Sequence, residues 1–169
     1  MTTLRGERVT LRPLVEGDRP RLVEILEARE VARWFGTGSA GESADEFISD
    51  PDVTGFAIEV DGALVGAIGY SEEETPDYRH AGLDLFLATE SQGKGIGPEA
   101  LRLLGRHLIE EHGHHRLVID PAASNERAIK AYKRVGFRPV GVMRSYERGP
   151  DGAFHDGLLM DLLADELAY

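Results

Sequence analysis

The chain has 169 residues, an apolar fraction of 41%, no cysteine and a formal net charge of −11 at pH 7. This composition predicts one packed domain over residues 1–169 and excludes a disulfide framework, a zinc–thiolate site and a cysteine nucleophile. The excess of acid disfavours nucleic acid as a partner and favours cationic ligands; the alternative is that it only keeps the protein soluble. No apolar run approaches the ~20 residues that span a bilayer, and the first residues contain no apolar signal segment, so we expect a soluble, cytoplasmic protein without membrane contacts.

The first third of the chain predicts one strand and two helices. The segment Arg8–Pro13 alternates apolar and polar residues, as a half-buried strand does. A helix follows that places Leu22, Ile25 and Leu26 on one face, and a short helix is predicted from Ser43.

A hairpin and a further strand are predicted next. Two apolar runs within residues 54–70 are separated by Asp61 and Gly62, a dipeptide that is the strongest short signal for a hairpin. The acid-rich segment Ser71–Asp77 is predicted to be a loop, and His80–Ala88 is predicted to be a strand.

The second half alternates helices and strands. The whole pattern of elements predicts a mixed α/β (α+β) domain with helices packed on a central sheet. The predicted elements are a helix over Pro98–His112, a strand over Arg116–Ile119, a helix from about Asn125 to Val135, and strands near Phe137–Val142 and Leu158–Leu163.

The segment Gln92–Gly97 reads Q-G-K-G-I-G and joins a predicted strand to a predicted helix. Backbone N–H groups at such a helix start form an anion site, and glycine allows both positive φ angles and close approach of a phosphate. A Walker A loop is excluded because Gly95, not Ser or Thr, follows Lys94, and the G-x-G-x-G spacing does not fit the Rossmann fingerprint. A turn without a ligand remains the alternative.

Two motifs resemble those of the GCN5-related N-acetyltransferase (GNAT) superfamily. The Gln-x-x-Gly-x-Gly spacing of Gln92, Gly95 and Gly97 is similar to the acetyl-coenzyme-A loop of that family. Residues 124–137, S-N-E-R-A-I-K-A-Y-K-R-V-G-F, resemble its second signature. The resemblance covers essentially the whole chain and implies the GNAT fold, a central mixed, mostly antiparallel sheet flanked by helices.

The resemblance also implies where acetyl-CoA binds as co-substrate. The glycine loop would hold the pyrophosphate, the strand before it would offer backbone groups to the pantetheine, and the second motif would reach the thioester. The residues implied are Leu85, Phe86, Leu87, Gln92, Gly93, Lys94, Gly95, Ile96, Gly97, Asn125, Ala128 and Tyr132.

Acetylation of an amine requires a base and a proton donor, because an amine with a lysine-like pKa of ~10.4 is protonated at pH 7. Tyr132 is the candidate donor to the thiolate, and the alternative is a core aromatic residue. Asp84 interrupts an otherwise apolar strand, G-L-D-L-F-L, and is the candidate base or amine anchor. The alternative for Asp84 is a solvated strand face.

The acids near these motifs resemble those of aminoglycoside 6′-N-acetyltransferases, which implies a polycationic amine as acceptor. The residues implied in substrate binding are Glu72, Glu73, Glu74, Asp84 and Asp120. A ribosomal-protein or amino-terminal acetyltransferase of the same fold remains an alternative, as does a non-catalytic acyl-CoA-binding module. Membership of the superfamily also suggests a homodimer.

Four histidines cluster at the end of the helix predicted over Pro98–His112, at positions 107, 112, 114 and 115. Cationic side chains are favoured near a helix carboxyl end in any case, and no carboxylate pattern of a known metal site accompanies them. We therefore expect no metal site.

Overall fold

A computed structural model of the chain describes residues 2–168. Within that range the polypeptide forms eight strands and five α-helices. The strands are β1 (Leu4–Arg5), β2 (Val9–Pro13), β3 (Thr54–Val60), β4 (Ala63–Glu73), β5 (His80–Leu87), β6 (Arg116–Ile119), β7 (Arg138–Arg148) and β8 (Phe154–Leu163). The helices are α1 (Arg19–Glu27), α2 (Arg29–Ala32), α3 (Ala40–Ile48), α4 (Ile96–Glu110) and α5 (Glu126–Val135).

All eight strands form one sheet in the order β1-β2-β3-β4-β5-β6-β8-β7. The pair β5–β6 is parallel, and the other pairs are antiparallel. The helix α4 supplies the crossover that a parallel pair requires. The predicted central, mostly antiparallel sheet flanked by helices is therefore confirmed.

The hairpin between β3 and β4 turns at the predicted dipeptide. Asp61 has a φ of 51° and Gly62 a φ of 78°. Two successive positive φ angles match the right-handed twist of the flanking strands, as in a type I′ turn. This prediction is confirmed.

The sheet has a hydrophobic core on each face. On one face, α4 buries Leu101, Leu104 and Leu108 against the strands, and α5 packs beside it. On the other face, α1 buries the predicted stripe of Leu22, Ile25 and Leu26, and α3 packs next to it. The spacing of apolar residues in the sequence thus correctly predicted the buried face of α4 and that of α1.

Several predicted boundaries are wrong. The strand β4 continues through half of the predicted acid loop, because Glu72 and Glu73 pair with Ala81 and His80 of β5. The helix α3 begins at Ala40, where the Ser39 hydroxyl accepts a hydrogen bond from the Glu42 N–H. Pairing between distant segments extends strands beyond what local patterns show.

The strands β7 and β8 are also longer than predicted, because they extend together as a hairpin beyond the sheet core. Among residues 2–168, no helix is both long and apolar enough to cross a membrane.

Candidate active site

The site begins where β5 and β6 separate. The two parallel strands pair at Ala81–Leu117 and Gly82–Val118, and no further pair joins them along the described chain. Asp84 lies on β5 just beyond the last pair, and Asp120 follows the end of β6. The separation opens a gap in the sheet, and a cleft reaches it from each side.

One cleft, with a volume of about 850 Å³, lies between the free edge of β5, the glycine loop and α5; we call it the donor cleft. Four cationic side chains and two acidic side chains line it. The cations are Arg33, Arg127, Lys130 and Arg134, and the acids are Glu30 and Glu126. In a chain of net charge −11, this excess of positive charge is suited to an anion.

The glycine loop has the backbone that its sequence predicts. Gly93 and Gly95 have φ angles of 74° and 81°, which L side chains rarely adopt. Gly95 is the N-cap of α4, so the free N–H groups of the first turn and the positive end of the helix dipole lie at this loop. The Gln92 side chain donates to the Leu87 carbonyl at 3.1 Å and accepts from Arg127 at 3.0 Å, which fixes the loop between β5 and α5.

The structure brings most of the residues implied in cofactor binding into the donor cleft. Those that line it are Leu85, Phe86, Leu87, Gln92, Gly93, Gly95, Gly97, Asn125, Ala128 and Tyr132. Lys94 is exposed at the loop tip and does not line the cleft. Ile96 buries its side chain in the core, so that only its backbone is available to a ligand.

The helix α5 places Tyr132 at the inner end of the donor cleft. Asn125 caps the helix by accepting a hydrogen bond from the Ala128 N–H at 3.2 Å. Two turns later, Tyr132 packs edge-on against buried Phe137, with 6.4 Å between ring centroids. Burial, together with the charges of Asp84 and Asp120, raises the pKa of the Tyr132 hydroxyl well above its usual value.

The other cleft, of about 450 Å³, is lined by carboxylates; we call it the acceptor cleft. No Lys or Arg of residues 2–168 lines it. The five acids are Glu46, Glu72, Glu73, Asp84 and Asp120. Glu74, which the sequence also placed in substrate binding, is exposed outside this lining.

Asp84 lines the acceptor cleft, where its side chain stays accessible to water although protein atoms surround the carboxyl group. One of its oxygens accepts a hydrogen bond from the Leu85 N–H at 2.9 Å. Loss of surrounding water, and then repulsion from Asp120, raises the pKa of this carboxyl to about 7. Asp84 is thus poised to gain or lose a proton near neutral pH.

Asp120 and Glu72 are held by other side chains. The Tyr146 hydroxyl donates to Asp120 at 2.5 Å, and this bond contributes most to raising the pKa of Tyr146 to about 12. His112 and His114 both contact one oxygen of Glu72, at 3.1 and 2.5 Å. Burial raises the pKa of Glu72, but the bonds to the two histidines outweigh it, and the net shift is downward.

A carboxylate therefore does accompany two of the histidines, although no carboxylate pattern of a known metal site is visible in the sequence. Glu72 is on β4, and His112 and His114 are in the connection from α4 to β6. Sequence reasoning missed the contact because 40 residues separate Glu72 from His112.

Other residues of the site were missed as well. Arg127, Lys130 and Arg134 have i, i+3, i+7 spacing, a signal in the sequence that would have predicted a cationic helix face. Glu46 and Tyr146 reach the site through tertiary packing alone, from α3 and β7. No local pattern marks either of them.

Comparison with known proteins places these features in context. Residues 8–138 match the family described as acetyltransferase (GNAT) domain. An aminoglycoside N(6′)-acetyltransferase type 1 from Klebsiella pneumoniae is 31% identical over 176 residues, which cover 90% of this chain and 83% of that protein. The Bacillus subtilis (strain 168) protein YdaF, provisionally named a ribosomal N-acetyltransferase, is 29% identical over 171 residues, covering 94% of this chain and 90% of that protein.

A solved structure agrees with the sequence comparison. AAC(6′)-Ib in complex with ribostamycin and coenzyme A has a TM-score of 0.78 and 25% identity, over 95% of this chain and 96% of that one. Another structure of AAC(6′)-Ib contains acetyl-CoA.

Proposed function

The chain belongs to the acetyltransferase (GNAT) family and uses acetyl-CoA as co-substrate, and from this premise we propose that it acetylates the 6′-amine of an aminoglycoside. The observation that carries the proposal is the division of charge between the two clefts. Cations line the cleft that contains the glycine loop, and five carboxylates line the cleft on the other side of the gap.

Acetyl transfer would proceed directly from donor to acceptor. The chain has no cysteine to carry a thioester intermediate. The glycine loop and the cations of α5 bind the pyrophosphate, and the free edge of β5 aligns the pantetheine, so that the thioester reaches the gap near Asp84. Holding the two reactants together makes the step effectively unimolecular.

In the chemical step, the amine nitrogen attacks the thioester carbonyl and the carbon–sulfur bond breaks. Asp84 accepts the proton of the ammonium group, because a pKa of about 7 matches a general base at neutral pH. The raised pKa of Tyr132 keeps its hydroxyl protonated, so that it donates a proton to the departing thiolate. The acylated nitrogen then returns its remaining extra proton to the Tyr132 oxygen, which leaves a neutral amide, free coenzyme A and a protonated tyrosine, while Asp84 releases its proton to water. The remaining acids bind the other ammonium groups of the substrate.

The test is acetyl-CoA-dependent thiol release with a panel of acceptors: aminoglycosides, polyamines and amino-terminal peptides. We expect turnover with aminoglycosides that carry a 6′-amine, at a higher kcat/KM than with any peptide. Turnover of peptides alone would overturn the proposal.

A ribosomal-protein amine is the second candidate acceptor. The similarity to YdaF, over 94% of this chain, favours it. In that case, thiol release would require a peptide that carries the amino terminus of a ribosomal protein. Aminoglycosides would neither be acetylated nor compete with that peptide.

A further inference from the structure

We propose that Glu72, His112 and His114 form a binding site for a divalent transition-metal ion, with Zn²⁺ as the ion that fits best, at the edge of the acceptor cleft. One oxygen or nitrogen from each of the three side chains lies within 4.8 Å of the others. Glu72 Oε2 is 3.1 Å from His112 Nδ1 and 2.5 Å from His114 Nε2.

The Glu72–His112 distance is close to that in a tetrahedral zinc site, the Glu72–His114 distance is shorter, and the two histidine nitrogens lie within 4.8 Å of each other. Zn²⁺ binds imidazole nitrogen and carboxylate oxygen at about 2.0–2.2 Å, which places neighbouring ligand atoms about 3.3 Å apart. Small outward movements of the three side chains would therefore admit the ion. Two imidazoles favour Zn²⁺ and similar transition metals over Mg²⁺ and Ca²⁺, which prefer oxygen ligands.

The burial of His114 determines which of its ring nitrogens faces the cluster. Its side chain is 0% exposed, and its Nδ1 has no hydrogen-bond partner among the described residues. A buried imidazole with one unpaired nitrogen costs free energy that an apolar side chain of similar size would not. The one polar contact of this side chain joins Nε2 to Glu72, so Nε2 is the ring nitrogen that faces the cluster and would bind the ion. Nδ1 lies on the other side of the ring and takes no part in the site.

Arg79, in the connection between β4 and β5, fixes the backbone around the histidines. Arg79 donates to the carbonyls of His112 and Gly113, at 2.5 and 3.2 Å. Gly113 has a φ of 73°, and this turn brings both histidines beside β4. The ligands thus come from positions that are fixed independently of any ion.

One side of the cluster remains open. Glu72 and His112 are 22% and 29% exposed, so a water molecule can complete the coordination. Because Glu72 also lines the acceptor cleft, a bound cation would cancel one negative charge of its wall.

The experiment is calorimetric titration of the tag-free, chelator-treated protein with Zn²⁺, and separately with Mg²⁺. We expect one Zn²⁺ per chain and no heat from Mg²⁺. His114→Leu and His112→Asn should each weaken Zn²⁺ binding at least about tenfold, because even changes next to metal ligands cost about 10–100-fold. His115→Asn is the matched control, since His115 is exposed in the same connection and outside the cluster.

A second readout is the visible absorption of bound Co²⁺, whose intensity reports tetrahedral coordination and should disappear in His114→Leu. Circular dichroism confirms that each variant is folded. Absence of Zn²⁺ binding to the wild-type protein, or equal affinity in all three variants, would overturn the proposal. This titration uses no acetyl acceptor, so its result is independent of the proposed function.

Discussion

Asp84 is a candidate catalytic residue because it interrupts an otherwise apolar strand. It is the one acid within the apolar strand β5, and it lies just beyond the point where β5 and β6 separate. Because side chains alternate along a strand, Asp84 and Phe86 are expected to face away from the leucines, and Phe86 does enter the core opposite the one that contains Leu83. The raised pKa of Asp84, by contrast, depends first on the loss of surrounding water and then on repulsion from Asp120, and no local pattern shows either.

Substitution of Asp84 tests its role as the base. Because its pKa is raised to about 7, the ionised, proton-accepting fraction grows as pH rises through that value, and wild-type kcat/KM should rise and then level off. Asp84→Asn should lower kcat about 10²-fold or more at pH 7 and recover partly at high pH, where the amine is already neutral. Asp77→Asn, an exposed control, should keep the wild-type profile.

The pH profile separates catalysis from positioning. An equal loss in Asp84→Asn at every pH would mean that Asp84 anchors the substrate without accepting its proton.

Substitution of Tyr132 tests proton donation to the thiolate. Tyr132→Phe keeps the ring that packs on Phe137 and removes only the hydroxyl. We expect kcat to fall about 10²-fold with little change in KM for acetyl-CoA or in Tm. Exposed Tyr78→Phe serves as the control, measured by thiol release and thermal unfolding. A variant with unchanged kcat would remove Tyr132 from the mechanism.

At the scale of elements, local signals identified most of the fold. The Asp61–Gly62 turn, the buried stripes of α1 and α4 and the cap of α5 all follow from neighbouring residues. The errors lie where distant segments decide the outcome. The strand β4 runs through Glu73 only because β5 pairs with it, and the contact between Glu72 and the histidines depends on that pairing.

The cationic face of α5 leads to a prediction about the donor. Lys130 lines the donor cleft, whereas Lys133 is exposed on the same helix outside the cleft. Lys130→Gln should raise KM for acetyl-CoA several-fold with little effect on kcat, because it weakens binding in ground and transition states alike. Lys133→Gln should match the wild type. Equal effects of the two variants in steady-state kinetics would mean that net charge, not this face, binds the coenzyme.

At the scale of the whole molecule, the net charge of −11 is unevenly distributed: one cleft is lined by carboxylates and the other by an excess of cationic side chains. Composition predicted a cationic ligand, and the glycine loop predicted an anionic one. The two clefts, on opposite sides of the gap between β5 and β6, offer a separate site for each.

This separation predicts a dependence on salt. The Debye length falls from about 30 Å at 0.01 M to about 8 Å at 0.15 M, so kcat/KM for a polycationic acceptor should fall as salt is added. Glu73→Gln should reduce that slope because Glu73 lines the acceptor cleft, whereas exposed Glu27→Gln should leave it unchanged. A slope that does not differ among the three proteins would show that the cleft carboxylates do not attract the acceptor.

The central claim is that this chain acetylates the 6′-amine of an aminoglycoside, and a matched pair of substrates tests it most directly. The two aminoglycosides differ only in bearing an amine or a hydroxyl group at the 6′ position, and acetyl-CoA-dependent thiol release is measured with each. The account predicts turnover of the 6′-amine, with a single acetyl group at that nitrogen by mass spectrometry and NMR, and negligible turnover of the 6′-hydroxyl compound. Equal turnover of both compounds, or of neither, would contradict it.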